Sequence, residues 1–269
     1  MIHNRIYLSN EFPMLNSNAS LTSYCIYNHH EFPYDRKRKT ILVLPGGGYA
    51  FCSEREKEPI ALKFVAKDFN VFVLDYTVGD DLHFPYPMVE AFSAIVYIRR
   101  HAEEYNVDVN HIGVMGFSAG GHLVGMLSIY NEDEYYLNFL NVNKDELRID
   151  FTALCYAVNY ASEDDYIMKY LVKDEKNVQY FNISPHITSS FPPSFIWTTK
   201  TDDVVHYSHS TRLIESLQQA GVKYEFHLFP SGKHGGSTCD LLTNNFDEVK
   251  ELGEAYTWID LCVEFINNL

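Results

Sequence analysis

From Thr40 onward, short apolar runs alternate with longer stretches in which apolar and polar residues are mixed at helical spacing. Nearly continuous apolar runs of this kind are typical of parallel strands that are buried on both faces. They predict strands at residues 40–44, 70–76, 111–117, 151–156, 194–199 and 223–229. The stretches between and after these runs predict helices at residues 55–69, 87–105, 119–130, 207–220 and 246–268.

The regular succession of strand and helix predicts an α/β fold, with a mostly parallel central sheet and helices on both faces. Residues 1–40 are polar and irregular, with room for one or two further strands. A chain of 269 residues is long enough to bury one large core. We therefore expect a single domain over residues 1–269.

One interval breaks the alternation of strand and helix. Residues 157–193 lie between two predicted strands and are rich in acids, tyrosines and prolines. A connection of this length inside a compact domain is usually functional, so it is a candidate for a lid or a pocket wall. The alternative is an irregular crossover with one helix near residues 163–172. The sequence leaves both interpretations open.

The charge balance argues against two classes of partner. Asp and Glu number 36 against 21 Lys and Arg, which gives a net charge of −15. Such a surface repels phosphate backbones and anionic lipids, so we expect neither nucleic acid nor a membrane as a partner. No apolar run approaches the ~20 residues of a membrane helix, and the first residues lack the blocks of a secretory signal.

The cysteines and histidines do not predict a metal site. Five cysteines lie far apart without a C-x-x-C pair, which favours free thiols over a disulfide framework or a zinc site. No two histidines have the spacing of metal ligands together with a glutamate. We expect a cytoplasmic protein without a metal or other cofactor. The oligomeric state stays open, with a homodimer as one option.

The stretch "HIGVMGFSAGGHL", residues 111–123, carries the first candidate for chemistry. Ser118 lies between Gly116 and Gly120 in a G-x-S-x-G pattern, where a predicted strand passes into a predicted helix. In so sharp a turn, side chains at the two glycine positions would collide with the neighbouring strand and helix. The turn would present the hydroxyl at a helix N-terminus, where an oxyanion is stabilised. A glycine-flanked serine can also be an ordinary turn, so a nucleophilic role requires partners elsewhere.

Candidate partners follow the last two predicted strands. A serine hydroxyl needs a base to take its proton, and the base needs an acid to orient it. In sheets of this type the three follow in the order Ser, acid, His. Asp202 and Asp203 come after the fifth predicted strand, and His234 comes after the sixth. Parallel strands end at one edge of a sheet, so we expect these side chains to meet Ser118, whereas His122 packs or caps.

Three consecutive glycines, Gly46, Gly47 and Gly48, follow the first predicted strand. A phosphate loop would require a lysine at P-loop spacing or a G-x-G-x-x-G pattern, and neither is present. Consecutive N–H groups with no side chain in the way suit a developing negative oxygen. Each such donor is worth roughly 2.7–4 kcal/mol in the transition state.

Together these stretches resemble the α/β-hydrolase superfamily. They look closest to carboxylesterases and acetyl or acetylxylan esterases related to the hormone-sensitive-lipase group. The matching stretches are "PGGGY" (45–49), "SEREKEPIA" (53–61), "GFSAGGH" (116–122), "PPSFIWTTKTDDVV" (192–205) and "FPSGKHGG" (229–236). The resemblance runs from about residue 40 to the end of the chain. Pro45 stands where many relatives have histidine.

The resemblance implies a catalytic triad of Ser118 as nucleophile, His234 as base and Asp202 as orienting acid. It implies an oxyanion hole formed by the backbone N–H groups of Gly47, Gly48 and Ala119. Asp202 is preferred to Asp203 because family members often read D-x-V-V at this point.

The function implied is hydrolysis of short-chain acyl esters, acetyl esters above all, through an acyl-enzyme. The partner would be a small-molecule ester, with carbohydrate esters among the candidates. Two alternatives stay open. One is cleavage of amides or N-formyl groups, as in peptidases and arylformamidases that share this layout. The other is a non-catalytic hydrolase-fold protein that binds a small molecule.

Overall fold

An eight-stranded sheet forms the centre of the structure, a computed structural model that describes residues 1–31, 36–81, 84–160 and 180–269. The strands are β1 (Arg5–Tyr7), β2 (Ser20–Tyr24), β3 (Arg38–Leu44), β4 (Asn70–Asp75), β5 (Val107–Phe117), β6 (Phe151–Cys155), β7 (Ser194–Thr199) and β8 (Tyr224–Phe229). Their order across the sheet is β1-β2-β4-β3-β5-β6-β7-β8. β2 is antiparallel to both β1 and β4, and every other pair is parallel.

Helices lie before, between and after these strands. The described α-helices are α1 (Leu8–Glu11), α2 (Glu58–Val65), α3 (Tyr86–Arg100), α4 (Ala102–Tyr105), α5 (Ala119–Tyr130), α6 (Glu134–Leu140), α7 (Lys144–Leu147), α8 (Ser208–Ala220), α9 (Phe246–Leu252) and α10 (Trp258–Asn267). Short 3-10 helices lie at Glu54–Glu56, Gly79–Asp81, Ser184–His186 and Gly253–Thr257. In the described part of the chain, no helix combines the length and the apolar character needed to span a bilayer.

The six strands predicted from apolar runs are confirmed as β3 to β8. The largest difference is at the start of β5, which begins at Val107 instead of residue 111. Val107 pairs with Arg38 of β3, and an irregularity separates this pair from the regular ladder that begins at Thr40 and Ile112. The polar first segment contributes β1 and β2, so both of the strands for which it had room are present.

The helix predicted at residues 55–69 is confirmed as the shorter α2, and the one predicted at 87–105 is divided between α3 and α4. The predictions for residues 119–130 and 207–220 correspond closely to α5 and α8. The helix predicted at 246–268 is interrupted, because Gly253 has a φ of 55° that an α-helix cannot contain. Helices α6 and α7, between α5 and β6, had not been predicted. The helix expected near residues 163–172 lies outside the described residues.

Apolar side chains are buried on both faces of the sheet, which explains the continuous apolar runs. In β3, Leu42 and Leu44 belong to one cluster and Ile41 and Val43 to another, and none of the four is exposed. Side chains of α3 and α5 join the first cluster, and those of α2 and α10 join the second. Each fully buried aliphatic side chain contributes about 1.5–3 kcal/mol relative to an exposed one. All five cysteines are free thiols.

The carboxyl ends of the parallel strands place the candidate residues at one edge of the sheet. The glycine loop, Gly46–Gly48, follows β3, and Ser118 follows β5. Asp202 comes after β7 and His234 after β8. Loops at this edge are where α/β sheets bind their ligands.

Candidate active site

Ser118 stands at a strained turn between β5 and α5. Its φ of 52° and ψ of −116° lie in a region that residues with side chains rarely occupy. A Cβ on Gly116 would lie 2.2 Å from the carbonyl oxygen of Gly120, and a Cβ on Gly120 would lie 2.1 Å from that of Leu44. Neither position has room for a side chain. Because α5 begins at Ala119, the turn places Ser118 at the N-terminus of a helix.

The imidazole of His234 links Ser118 to Asp202. Its Nε2 lies 2.8 Å from Ser118 Oγ, and its Nδ1 lies 2.8 Å from Asp202 Oδ2. A carboxylate only accepts hydrogen bonds, so Nδ1 carries the proton and Nε2 is left to accept from the hydroxyl. The side chains of His234 and Asp202 are 15% and 1% exposed, so little water competes for these bonds.

The two neighbouring aspartates have separate partners. Asp202 Oδ1 accepts the backbone N–H groups of Val204 at 2.9 Å and Val205 at 2.8 Å, while its other oxygen faces the imidazole. Asp203 Oδ1 accepts the backbone N–H of His234 at 3.2 Å. The structure therefore places Asp202 against the ring and Asp203 against the backbone of the same residue.

The glycine loop lies directly beside Ser118. A Cβ on Gly46 would lie 3.0 Å from Ser118 Cβ. Gly47 and Gly48 have φ angles of 122° and 62°, which favour glycine. Their N–H groups donate to no other residue in the described part of the chain, and both glycines line one cavity with Ser118. The N–H of Ala119, at the start of α5, is likewise without an acceptor inside its helix.

Tyrosine hydroxyls anchor the glycine loop on both sides. Tyr76 donates to the carbonyl oxygen of Pro45 at 2.6 Å. Tyr49 donates to Nδ1 of His122 at 2.9 Å, and Nε2 of this ring donates to the carbonyl of Phe181 at 2.7 Å. Burial lowers the pKa of His122 to about 4, which keeps the ring neutral. His122 packs and bonds as the sequence predicted.

Glu56 is a buried carboxylate on the other side of this loop. It is 3% exposed, and its Oε2 accepts the N–H of Gly46 at 2.7 Å. Its Oε1 accepts the hydroxyl of Tyr156 at 2.6 Å. Burial raises the pKa of Glu56, and the hydrogen bonds from Tyr156 and Gly46 together with the charge of His234 oppose that rise. The sequence does not single out either Glu56 or Tyr156.

Two other histidine positions differ in their surroundings. His209 lines the cavity over Ser118, is 8% exposed and stacks on Tyr160 with 3.8 Å between ring centroids. His29, His30 and Glu31 are exposed neighbours whose ligand atoms lie within 4.8 Å of one another. Exposed groups of that kind are common without a bound ion.

The cavity over Ser118 has a volume of about 360 Å³, at the lower end of the usual range for small-molecule sites. Its walls include the apolar side chains of Val158, Val204 and Val205 and the guanidinium of Arg55. Val158 belongs to the interval 157–193, which the sequence makes a candidate for a lid or a pocket wall, with an irregular crossover as the alternative. Residues 161–179 of that interval lie outside the described residues.

The strand order and the strained serine between two glycines define the class of this protein, which is an α/β hydrolase. Residues 31–217 match the BD-FAE family, and the chain belongs to that family.

The chain is 31% identical over 242 residues to endo-1,4-beta-xylanase B of Butyrivibrio fibrisolvens, a match that covers 86% of this chain and 37% of that protein. It is 28% identical over 212 residues to an acetylxylan esterase of Xylanibacter ruminicola, covering 76% of this chain and 42% of that protein. The chain thus spans less than half the length of these curated relatives. The crystal structure of an acetyl ester-xyloside bifunctional hydrolase from Caldicellulosiruptor lactoaceticus matches with a TM-score of 0.81 at 27% identity, covering 98% of this chain and 96% of that one.

Proposed function

We propose that the protein is a serine carboxylesterase that removes short acyl groups, acetyl above all, from small-molecule esters, including esters of carbohydrates. Ser118 is the nucleophile, His234 the general base and Asp202 the orienting acid. The N–H groups of Gly47, Gly48 and Ala119 hold the oxyanion. The names of the relatives as ester hydrolases support the reaction class.

In the first half of the reaction, Ser118 Oγ attacks the ester carbonyl carbon while its proton passes to His234 Nε2. The 2.8 Å contact between these atoms is the path of the proton. Asp202 keeps Nδ1–H in place and stabilises the imidazolium. The negative oxygen of the tetrahedral intermediate meets backbone donors whose direction is already set, so no reorganisation is needed when charge develops.

In the second half, the imidazolium returns its proton to the leaving alcohol oxygen and the acyl group stays on Ser118. A water molecule then attacks the acyl carbon while His234 takes its proton. Collapse of the second tetrahedral intermediate releases the carboxylic acid and restores the serine hydroxyl. Every proton in this cycle is held by the substrate, water, Ser118 or His234, so the cycle uses no cofactor.

The preference for a short acyl group rests on the size of the site. The cavity formed by the described residues is about 360 Å³ and has apolar walls at Val158, Val204 and Val205. The preference for a neutral sugar ester rests on the net charge of −15 and on relatives named for xylan or xyloside chemistry. An acetylated xylo-oligosaccharide meets both conditions.

The observation that carries the proposal is the unbroken chain of contacts from Asp202 through His234 to Ser118, at 2.8 Å each. A fluorophosphonate probe tests it. The wild type is expected to be labelled, and Ser118→Ala is expected to lose both labelling and about 10⁶-fold of its ester hydrolysis. Ser189→Ala, which changes an exposed serine outside this cavity, is the control and keeps both. A wild type that neither labels nor hydrolyses esters would favour the binding-only alternative.

Substrate class is tested with 4-nitrophenyl esters from acetyl to octanoyl and with acetylated xylo-oligosaccharides. We expect kcat/KM to be highest for acetyl and to fall as the acyl chain lengthens, because the cavity is small. Matched anilides and N-formyl substrates belong in the same panel. A preference for either of them over the esters would replace ester hydrolysis by amide hydrolysis as the function.

A further inference from the structure

Two segments of the active site bond directly to the carboxylate of Glu56, and a third is connected to it through Tyr156. Its Oε2 accepts the N–H of Gly46, at the start of the glycine loop. Its Oε1 accepts the hydroxyl of Tyr156, at the end of β6. The same hydroxyl accepts the N–H of Ser237 at 3.1 Å, three residues after His234. The glycine loop, the end of β6 and the loop of the base are thus joined through the side chains of Glu56 and Tyr156.

The position of Tyr156 is set by its own contacts. The residue is 2% exposed and has a φ of 37°, and its N–H donates to the carbonyl of Trp197 at 2.7 Å. Its ring lies 5.1 Å from the ring of His234, at an interplanar angle of 74°. A second bond, from Ser237 Oγ to the carbonyl of Arg55, joins the loop of the base to the 3-10 helix that carries Glu56.

A carboxylate at this place costs folding free energy. Among the described residues, no lysine, arginine or histidine lies within ion-pair distance of Glu56, and burial raises the pKa of this group. A buried charge that is not paired is less favourable than a neutral side chain of similar shape. Retaining a charge here therefore calls for a role other than stability.

We propose that Glu56 is a positioning residue that fixes the glycine loop relative to the loop of His234 and favours the charged imidazole that forms during the reaction. This inference rests on the proposed function. Glu56 touches no reacting atom. It acts through Gly46, which precedes the oxyanion donor Gly47, and through Tyr156, which packs against His234.

Other ionisable groups near Glu56 and His234 define the electrostatic setting. They are Arg55, Tyr76, Cys155 and Tyr156 around Glu56, and Asp202, Asp203, Arg55 and His209 around His234. Burial raises the pKa of Tyr76, Cys155 and Tyr156, so these groups stay neutral. Asp202 and Glu56 are the buried carboxylates of this set.

Glu56→Gln and Tyr156→Phe test the inference in the full chain with 4-nitrophenyl acetate. Each is expected to lower kcat about tenfold and to change KM by less than about threefold, because the disturbed hydrogen bonds position groups that act mainly in the transition state. In Glu56→Gln the acid limb of the kcat/KM pH profile moves to lower pH, since imidazole protonation loses a neighbouring negative charge. In Tyr156→Phe, which keeps that charge, the limb stays in place. A merely structural role would not shift the acid limb of the kcat/KM pH profile, and it would not lower kcat selectively over KM.

Glu54→Gln is the matched control. Glu54 lies on the same 3-10 helix, but its side chain is 86% exposed and pairs with Lys57, so wild-type kinetics are expected. The double variant Glu56→Gln/Tyr156→Phe should lose less than the product of the two single losses, since both residues belong to one network. Independent, multiplicative losses would contradict the shared network.

A kcat within twofold of wild type in both single variants, with an unshifted pH profile, overturns the inference. If Glu56→Gln does not fold, Tyr156→Phe decides the question by the same kcat criterion. The wild type and Ser118→Ala separate the two proposals. Ester hydrolysis that depends on Ser118 but not on Glu56 overturns only the role of Glu56, whereas a wild type without ester hydrolysis overturns both.

Discussion

The two neighbouring carboxylates after β7 differ in what they contact. Asp202 accepts three N–H donors, two from the backbone of its own loop and one from the imidazole of His234. These bonds and its burial hold the carboxylate in one orientation. Asp203 accepts a single backbone N–H from His234. It can support the loop, but it cannot select the tautomer of the ring.

Asp202→Asn is expected to lower kcat for 4-nitrophenyl acetate by about 10⁴-fold, because the amide can hold the imidazole in the wrong tautomer and carries no charge. Asp203→Asn keeps an acceptor for the same backbone N–H and should lose less than about tenfold. Steady-state kinetics of the two variants make the comparison. Equal losses would mean that the two aspartates share the orienting role.

The residues of the candidate triad could be predicted from the sequence because each has a local mark: flanking glycines, or a place after a buried strand. Glu56, Tyr76 and Tyr156 could not be found in this way. Their bonds go to groups far along the chain, 100 positions away for Tyr156 to Glu56 and 31 for Tyr76 to Pro45. Glutamates occupy three alternate positions in "EREKE", and nothing local indicates that the middle one is buried.

At the scale of elements, α5 is joined to two other segments by one ring. His122, on the first turn of the helix, accepts from Tyr49 beside the glycine loop and donates to the carbonyl of Phe181. The ring is fully buried, and its pKa is lowered by burial to about 4. The contact between helix and loop therefore depends on a neutral imidazole.

This dependence predicts how stability varies with pH. The unfolded chain takes up a proton on His122 below its ordinary pKa of 6.5, whereas the folded chain does so only near pH 4. The contribution of this group to the free energy of unfolding is therefore fully present above pH 6.5. It decreases by about 3 kcal/mol as the pH falls to 4. The free energy of unfolding, measured with urea at several pH values between 4 and 6.5, should change less steeply with pH for His122→Gln than for the wild type.

The matched control is His30→Gln, since the side chain of His30 is 84% exposed. Its free energy of unfolding should change with pH as steeply as that of the wild type. If the free energy of unfolding depended on pH equally in His122→Gln and in the wild type, the assignment of this pH dependence to His122 would be contradicted.

The parallel part of the sheet could be predicted because strands buried on both faces leave continuous apolar runs. The elements whose positions the apolar pattern did not predict have other features. In β2, Ser20, Thr22 and Ser23 are buried although they are polar, so no apolar run announces the strand. Helix α7 begins at a capping box of Asn143 and Glu146, a signal that is visible in the sequence. Its length of four residues leaves too few positions for an apolar periodicity.

At the scale of the whole molecule, the excess of acidic groups sets the field around the cavity. The net charge of −15 gives a negative potential that opposes the approach of anions and leaves neutral molecules unaffected. The guanidinium of Arg55 at the cavity wall is a local exception to this field. For an anionic ester, the long-range field of the surface is therefore repulsive, whereas the local contribution of Arg55 is attractive.

Ionic strength separates the two contributions. Between about 10 mM and about 500 mM NaCl, kcat/KM for 4-nitrophenyl acetate should stay constant, while that for anionic 4-acetoxybenzoate should rise about threefold as the repulsion is screened. The neutral methyl ester of 4-acetoxybenzoate is the control. A fall in kcat/KM for the anion would mean that attraction by Arg55 outweighs the field of the whole surface.

The candidate triad joins parts of the chain that are remote in sequence: 116 positions separate the serine from the imidazole, and 32 separate the imidazole from its carboxylate. The three side chains meet because strands β5 to β8 are paired with one another, and bringing together segments so far apart in the chain costs loop-closure entropy. A chain in which these strands are not paired would have the same amino acids, but it would not hold the three side chains together. A screen of variants for 4-nitrophenyl ester hydrolysis would therefore select for complete folding of the sheet as well as for catalytic activity.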